Sequence, residues 1–202
     1  FDFIRVDPVQ AAEWQMLDRA GAADAVDGPQ PRQHVVVVGE QRVRRLVTRR
    51  RRLQAKGQNV IDVDTGVYTV KRFYALDDCG TRINPMIIEG QVHGGLTEAF
   101  AIAMGQEIRY DDEGNVVTGS FMDFFMPTAV ETPHWETDFT VTPSPHHPIG
   151  AKGVGESPNV GGVPAFSNAV NDAFSFLGST HIQMPHDYWR NWRAAKELGV
   201  FA

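Results

Sequence analysis

Only one cysteine, Cys79, stands among the 202 residues, which excludes an internal disulfide framework and any zinc or iron–sulfur site built from several cysteines. A reducing compartment is the natural setting for such a chain. No run of about 18 apolar residues occurs, and no charged stretch followed by an apolar one opens the chain. Neither a membrane-spanning helix nor a secretory leader is therefore visible. The chain starts on Phe1 rather than Met, as a processed or partial polypeptide would. Excess positive charge is missing too: 19 Lys and Arg against 25 Asp and Glu leave a net charge of −6, so the total points to no polyanionic partner. What is present suffices for a buried core, with 42% hydrophobic and 22% charged residues, and the length fits one domain or one plus an appendage.

The total charge hides an asymmetry. Residues 1–57 hold eleven basic and seven acidic side chains, whereas residues 58–202 hold eight basic and eighteen acidic ones. From Arg42 to Lys56 there are eight basic residues and no acid, including Arg49-Arg50-Arg51-Arg52. Such a run reads either as a nucleic-acid patch or as a solvated or disordered arm, or a segment read in a shifted frame. No aromatic residues interleave the arginines and no binding motif surrounds them, so no nucleic-acid partner is expected. We therefore divide the chain into an Arg-rich segment of unassigned fold, 1–57, and a second part, 58–202.

From residue 58 the pattern becomes regular. Asn59 to Asp64 and Val67 to Phe73 flank Asp64-Thr65-Gly66, which predicts a β-hairpin with Gly66 at positive φ. A second hairpin is predicted from Gln106–Asp111 and Val116–Phe125 around a turn at 112–115. Between them, Asn84-Pro85 supplies an N-cap and a first-turn proline, and Ile88, Val92, Leu96, Phe100 and Met104 recur every four residues, which predicts a helix stopped near Gly105. Gly90, Gly94 and Gly95 lower its propensity by about 1 kcal/mol each, so a close approach to that face is expected. Residues 126–163 are rich in proline and glycine, which disfavours a long helix or a central strand there. A helix opened by Pro164, with Phe166, Val170, Phe174 and Leu177 on one face, and a last helix capped by Asp187, with Tyr188, Trp192, Ala195 and Leu198 on one face, complete an α+β fold of two hairpins and three helices.

Chemistry concentrates at Gly150-Ala151-Lys152-Gly153-Val154-Gly155-Glu156-Ser157. The dinucleotide pattern GxGxxG fails because Pro158 stands where its last glycine would be, and the P-loop order fails because Lys152 precedes the glycines. What remains is a glycine-dense loop presenting one carboxylate, Glu156, with backbone N–H groups able to approach a ligand; a turn carrying a solvated glutamate fits the same residues. His146-His147, His134 and His93 form no HxxxH or HExxH pairing. Gln91 and His93, on the glycine-punctuated helix, could turn polar groups toward a ligand or lie on the surface.

Three segments, in order, carry a resemblance: Asp78-Cys79-Gly80-Thr81-Arg82-Ile83-Asn84-Pro85, then Gly90-Gln91-Val92-His93-Gly94-Gly95, then Gly153-Val154-Gly155-Glu156. A DxGxxxNP segment, a GQxxGG helix and a GxGE loop at these separations resemble the C-terminal region of the molybdenum-binding large subunit of the xanthine oxidase family. Within that family, the wording Arg72 to Gly80, Thr142 to Pro148 and Met184 to Asp187 resembles the branch that oxidises carbon monoxide. The match covers about residues 58–202 and leaves residues 1–57 outside.

The resemblance implies part of a larger cofactor-binding domain holding molybdopterin cytosine dinucleotide with molybdenum. Glu156 matches the family's glutamate beside the molybdenum, the base that activates water or steers substrate. Gln91 matches a cofactor-contacting glutamine, and Gly155 and Lys152 join the cofactor-binding set. It further implies CO as substrate, oxidised with water to CO₂, and electrons passed to an iron–sulfur small subunit (2Fe–2S) and a flavin medium subunit (FAD) in a dimer of heterotrimers. The location implied is cytoplasmic, with the inner face of the cytoplasmic membrane as a variant. Another hydroxylase of the family, acting on an aldehyde or N-heterocycle, is the alternative. The copper of the carbon monoxide branch is held by a cysteine in an upstream loop; Cys79 does not match it. The expectation is a C-terminal piece that lacks the copper ligand and is inactive alone.

Overall fold

The computed structural model describes residues 52–54, 59–146, 148–175, 177–179 and 181–200. Most of the Arg-rich segment 1–57, and His147, lie outside the described residues. Strands β1 (Arg52–Gln54), β2 (Asn59–Asp62) and β3 (Tyr68–Val70) form an antiparallel sheet in that order. The predicted first hairpin joins β2 to β3: Asp62 N donates to Val67 O at 2.8 Å, Gly66 N donates to Asp62 O at 2.7 Å, and Gly66 has φ 74°. Because β1 pairs with β2, with Arg52 opposite Asp62, the sheet crosses the boundary drawn at residue 57.

Past β3 the chain leaves this sheet, so the second hairpin strand is shorter than predicted. Strand β4 (Phe73–Asp77) runs parallel to β5 (Trp135–Phe139), with Phe73 opposite Trp135 and Asp77 opposite Phe139. Strand β5 lies inside the proline-rich stretch, where a long helix or a central strand was disfavoured; it is a short strand of a two-stranded sheet. The prolines flank its five residues and remove no ladder donor from it. Between the two parallel strands runs helix α1 (Pro85–Met104) as predicted, with the Asn84 side chain accepting from Ile87 N at 3.3 Å and Gly105 N closing on Ala101 O at 2.9 Å.

The predicted second hairpin contracts to one bridge, Tyr110 with Val116. Asp111 accepts from the amides of Glu113 and Asn115 and closes the turn. Most residues beyond it are exposed, Phe121 and Met122 among them, and Thr118 is buried alone between exposed neighbours, so no continuous buried face holds a longer ladder in register.

Helix α2 spans Ser157–Ser175, starting seven residues before Pro164, the predicted first residue. Pro158 falls in the first turn, where its missing N–H costs nothing, and Pro164 leaves only the carbonyl of the exposed Val160 without its helical donor. Helix α3 (Tyr188–Glu197) begins at the Asp187 cap, whose side chain accepts from Arg190 N at 2.7 Å. It buries Asn191 and Ala195, while Tyr188 stays exposed.

Helices α1 and α2 pack closely over small residues, most tightly at Gly162, where a Cβ would lie 2.6 Å from that of Ala99. Phe166 of α2, fully buried, stacks on Phe73 with centroids 4.5 Å apart and meets Phe100 and Trp135 edge-on. Burying such a side chain contributes about 1.5–3 kcal/mol. This cluster fixes the middle of α2 against α1 and β4.

Candidate functional site

Gln91 sits near the start of α1, and Gly155 and Glu156 lie immediately before α2. The helix pairing brings them together: an ideal Cβ on Gly155 would stand 3.7 Å from Gln91 Oε1. Glu156 is exposed, and its carbonyl accepts from Val160 N at 3.1 Å, so it occupies the N-terminal edge of α2. A carboxylate placed there faces the positive end of the helix dipole. Gly90, Gly94 and Gly153 meet nothing within 4 Å, which leaves bare backbone open around Gln91 and Glu156. On α1, the close approach expected at the glycines occurs within the chain at Gly95, whose Cβ would lie 3.1 Å from that of Pro158.

Lys152 stands immediately before Gly153 in the same loop. Its ammonium is paired with Asp78 Oδ1 at 2.9 Å, and both side chains are nearly buried. Asp78 also accepts from the amides of Gly80 at 2.9 Å and Thr142 at 3.1 Å, and from Thr140 Oγ1 at 3.2 Å. Burial opposes ionisation of Asp78, but the hydrogen bonds from Thr142, Lys152 and the Gly80 amide outweigh it and hold the carboxyl below its ordinary range. Its neighbour Asp77 accepts from Ser157 Oγ at 2.7 Å. There burial prevails and raises the Asp77 pKa, with the Ser157 hydrogen bond opposing it.

Among the described residues, His93, His134 and His146 do not converge. His93 Nε2 lies 3.2 Å from Thr137 Oγ1 on β5, on a different side of α1 from the Gln91–Gly155 contact. His134 and His146 are exposed. Among the described residues, no group of three or more His, Cys, Asp or Glu side chains is placed to hold a metal ion. Cys79 is buried, and burial together with the nearby Asp77 charge raises its thiol pKa; it borders an open cleft of about 190 Å³ shared with Thr81, Asn84, Ile87 and Lys152.

Asp77, Asp78 and Ser157 received no role from the sequence. The signal available was a pair of consecutive acids at the end of an apolar strand, both of which prove buried. Alternation along a strand leads one to expect only one of them inside.

Residues 58–133 match the molybdopterin cofactor-binding domain family. Over 140 residues the chain is 80% identical to the carbon monoxide dehydrogenase large chain of Afipia carboxidovorans, covering 69% of this chain and 17% of that one. A crystal structure of Cu,Mo-CO dehydrogenase is similar at 78% identity and TM-score 0.69, over 71% of this chain and 18% of that one. Quinoline 2-oxidoreductase from Pseudomonas putida 86 follows at 40% identity and TM-score 0.66, over 69% of this chain and 18% of that one. The chain thus spans less than a fifth of the length of these relatives. In sequence and in fold, it resembles the portion of a carbon monoxide dehydrogenase large chain that bears a molybdopterin cofactor-binding domain.

Proposed function

We propose that this chain is part of the catalytic subunit of a molybdenum-type carbon monoxide dehydrogenase, which oxidises CO with water to CO₂, two protons and two electrons. The observation that carries the reading is the 80% identity to such a large chain, against 40% to the quinoline enzyme. The residues fit a molybdopterin. Gln91 offers an amide that donates and accepts, and Gly90, Gly94 and Gly153 leave backbone uncovered beside it. In the proposed enzyme the cofactor, in its cytosine dinucleotide form, supplies the two-electron acceptor. Copper, named with molybdenum for the similar structure, belongs to the complete subunit, with no ligand assigned here.

Glu156 then acts as the base. Its carboxylate oxygen accepts a proton from water as oxygen is delivered to substrate, a role worth about 10²–10⁴-fold in rate. Gln91, whose Oε1 lies beside Gly155, would hold the cofactor through its side-chain amide. Electrons pass to an iron–sulfur subunit and a flavin subunit, in a cytoplasmic dimer of heterotrimers.

The test is CO-dependent reduction of an artificial electron acceptor by the complete enzyme containing this segment, together with metal analysis. The reading expects CO oxidation with both molybdenum and copper present. Turnover of an N-heterocycle or aldehyde, with molybdenum, without copper and without CO oxidation, would contradict it.

A further inference from the structure

We infer that Asp77 and Asp78 form a two-point clamp that positions Glu156, with Asp78 gripping Lys152 before the Gly153–Glu156 loop and Asp77 gripping Ser157 after it. The inference rests on the reading of Glu156 as the base. The loop needs such a device: two of its four residues, Gly153 and Gly155, are glycine, and fixing a backbone residue costs about 1–2 kcal/mol, more for glycine.

Both anchors come from one rigid place. Asp77 ends β4, which is paired with β5 along its length, and the strand's Phe73 and Ala75 lie in the core. Side chains of adjacent residues leave such a strand end in opposite directions. Here one reaches Ser157 Oγ at 2.7 Å and the other Lys152 Nζ at 2.9 Å. Backbone contacts tie the entry side further, with Lys152 N donating to Cys79 O at 2.7 Å and Gly80 bridging Ala151.

Neither aspartate, nor Lys152 or Ser157, contacts a reacting atom in this account. They are positioning residues, and their effect runs through the direction of Glu156 and the approach of Gly155 to Gln91. Misplacing a reacting group by about 1 Å can cost on the order of 10²-fold in rate. Loss of one of the two anchors, with the other intact, is expected to cost about tenfold.

The test uses the complete assembled enzyme, with Ser157→Ala, Ser157→Thr, Glu156→Gln and the double variant Ser157→Ala/Glu156→Gln. Ser157→Ala should lower kcat about tenfold with KM and molybdenum content unchanged, and Ser157→Thr, which keeps the hydroxyl, should recover most of it. In the Glu156→Gln background, Ser157→Ala should cause no further loss, because its effect runs through the missing carboxylate. An unchanged kcat in Ser157→Ala, the same fold-loss persisting without Glu156, or molybdenum content falling in step with kcat would each overturn the clamp. Full turnover by Glu156→Gln alone would instead remove the base assignment, and the clamp's purpose with it.

Discussion

Replacing Lys152 with Met removes the cation from a nearly buried ion pair and leaves the Asp78 carboxylate with three uncharged donors. At the 2.9 Å separation, Coulomb's law with an effective dielectric of about 20 gives about 6 kcal/mol of gross attraction. Desolvation of both groups offsets much of that in the native protein. Breaking one side of such a pair nevertheless costs about 3–5 kcal/mol, because the remaining charge stays buried without compensation. Equilibrium urea unfolding at pH 7, followed by tryptophan fluorescence, should therefore show a loss of about 3–5 kcal/mol for Lys152→Met. Adding Asp78→Asn should return part of it, since the orphaned charge is then gone. The pH dependence has a fixed sign. The folded-state pKa of Asp78 lies below its unfolded value, so the stabilisation is present above the unfolded pKa of about 3.9 and is lost as pH falls through the folded one. Asp78→Asn should remove that share of the acid destabilisation. A loss under about 1 kcal/mol for Lys152→Met, the value of a solvent-exposed pair, would refute the reasoning.

Two other sites give expectations of the same kind. His186 is fully buried, with Nε2 2.9 Å from Ser167 Oγ, and burial lowers its pKa to about 4. Below an unfolded pKa of about 6.5 the unfolded chain takes a proton that the folded one refuses, so about 2 kcal/mol should vanish between pH 7 and pH 5. His186→Gln should flatten that slope in urea midpoints measured at the two pH values; an unchanged slope would count against it. Gly162→Ala gains about 1 kcal/mol of helix propensity but sets a Cβ 2.6 Å from that of Ala99, an overlap that costs about 1–3 kcal/mol. A lower thermal midpoint, partly restored by Ala99→Gly, is expected, whereas a raised midpoint in the single variant would show that α1 and α2 part freely.

Helix α1 was legible because its signals are local: the Asn84-Pro85 start, apolar residues every four positions and the Gly105 stop act within a few turns. Strand β5 was not, because Trp135–Phe139 finds its partner only in β4, with a whole helix between them. The start of α2 was masked because Pro158, Gly161 and Gly162 look alike whether they make a loop or the first turns of a helix. Gln91, Gly155 and Glu156 could be picked out through their motifs, and the contact between Gln91 and Gly155 follows from the α1–α2 packing at Gly95 and Gly162. Lys152 stood in the same motif, yet its ammonium is engaged by Asp78, a partner 74 positions earlier. No spacing rule reaches that far, and the hydrogen bond of Ser157 with Asp77, across 80 positions, is equally non-local.

The central claim is that Glu156 moves the proton in the reaction, while the cofactor is held by other atoms. It is tested most directly by the turnover of Glu156→Gln in the complete assembled enzyme, measured per bound molybdenum. The substitution keeps size and hydrogen-bonding capacity and removes the basic oxygen. Turnover per molybdenum should fall by about 10²–10⁴-fold, with molybdenum content nearly intact. Turnover equal to that of the unaltered enzyme would contradict the account.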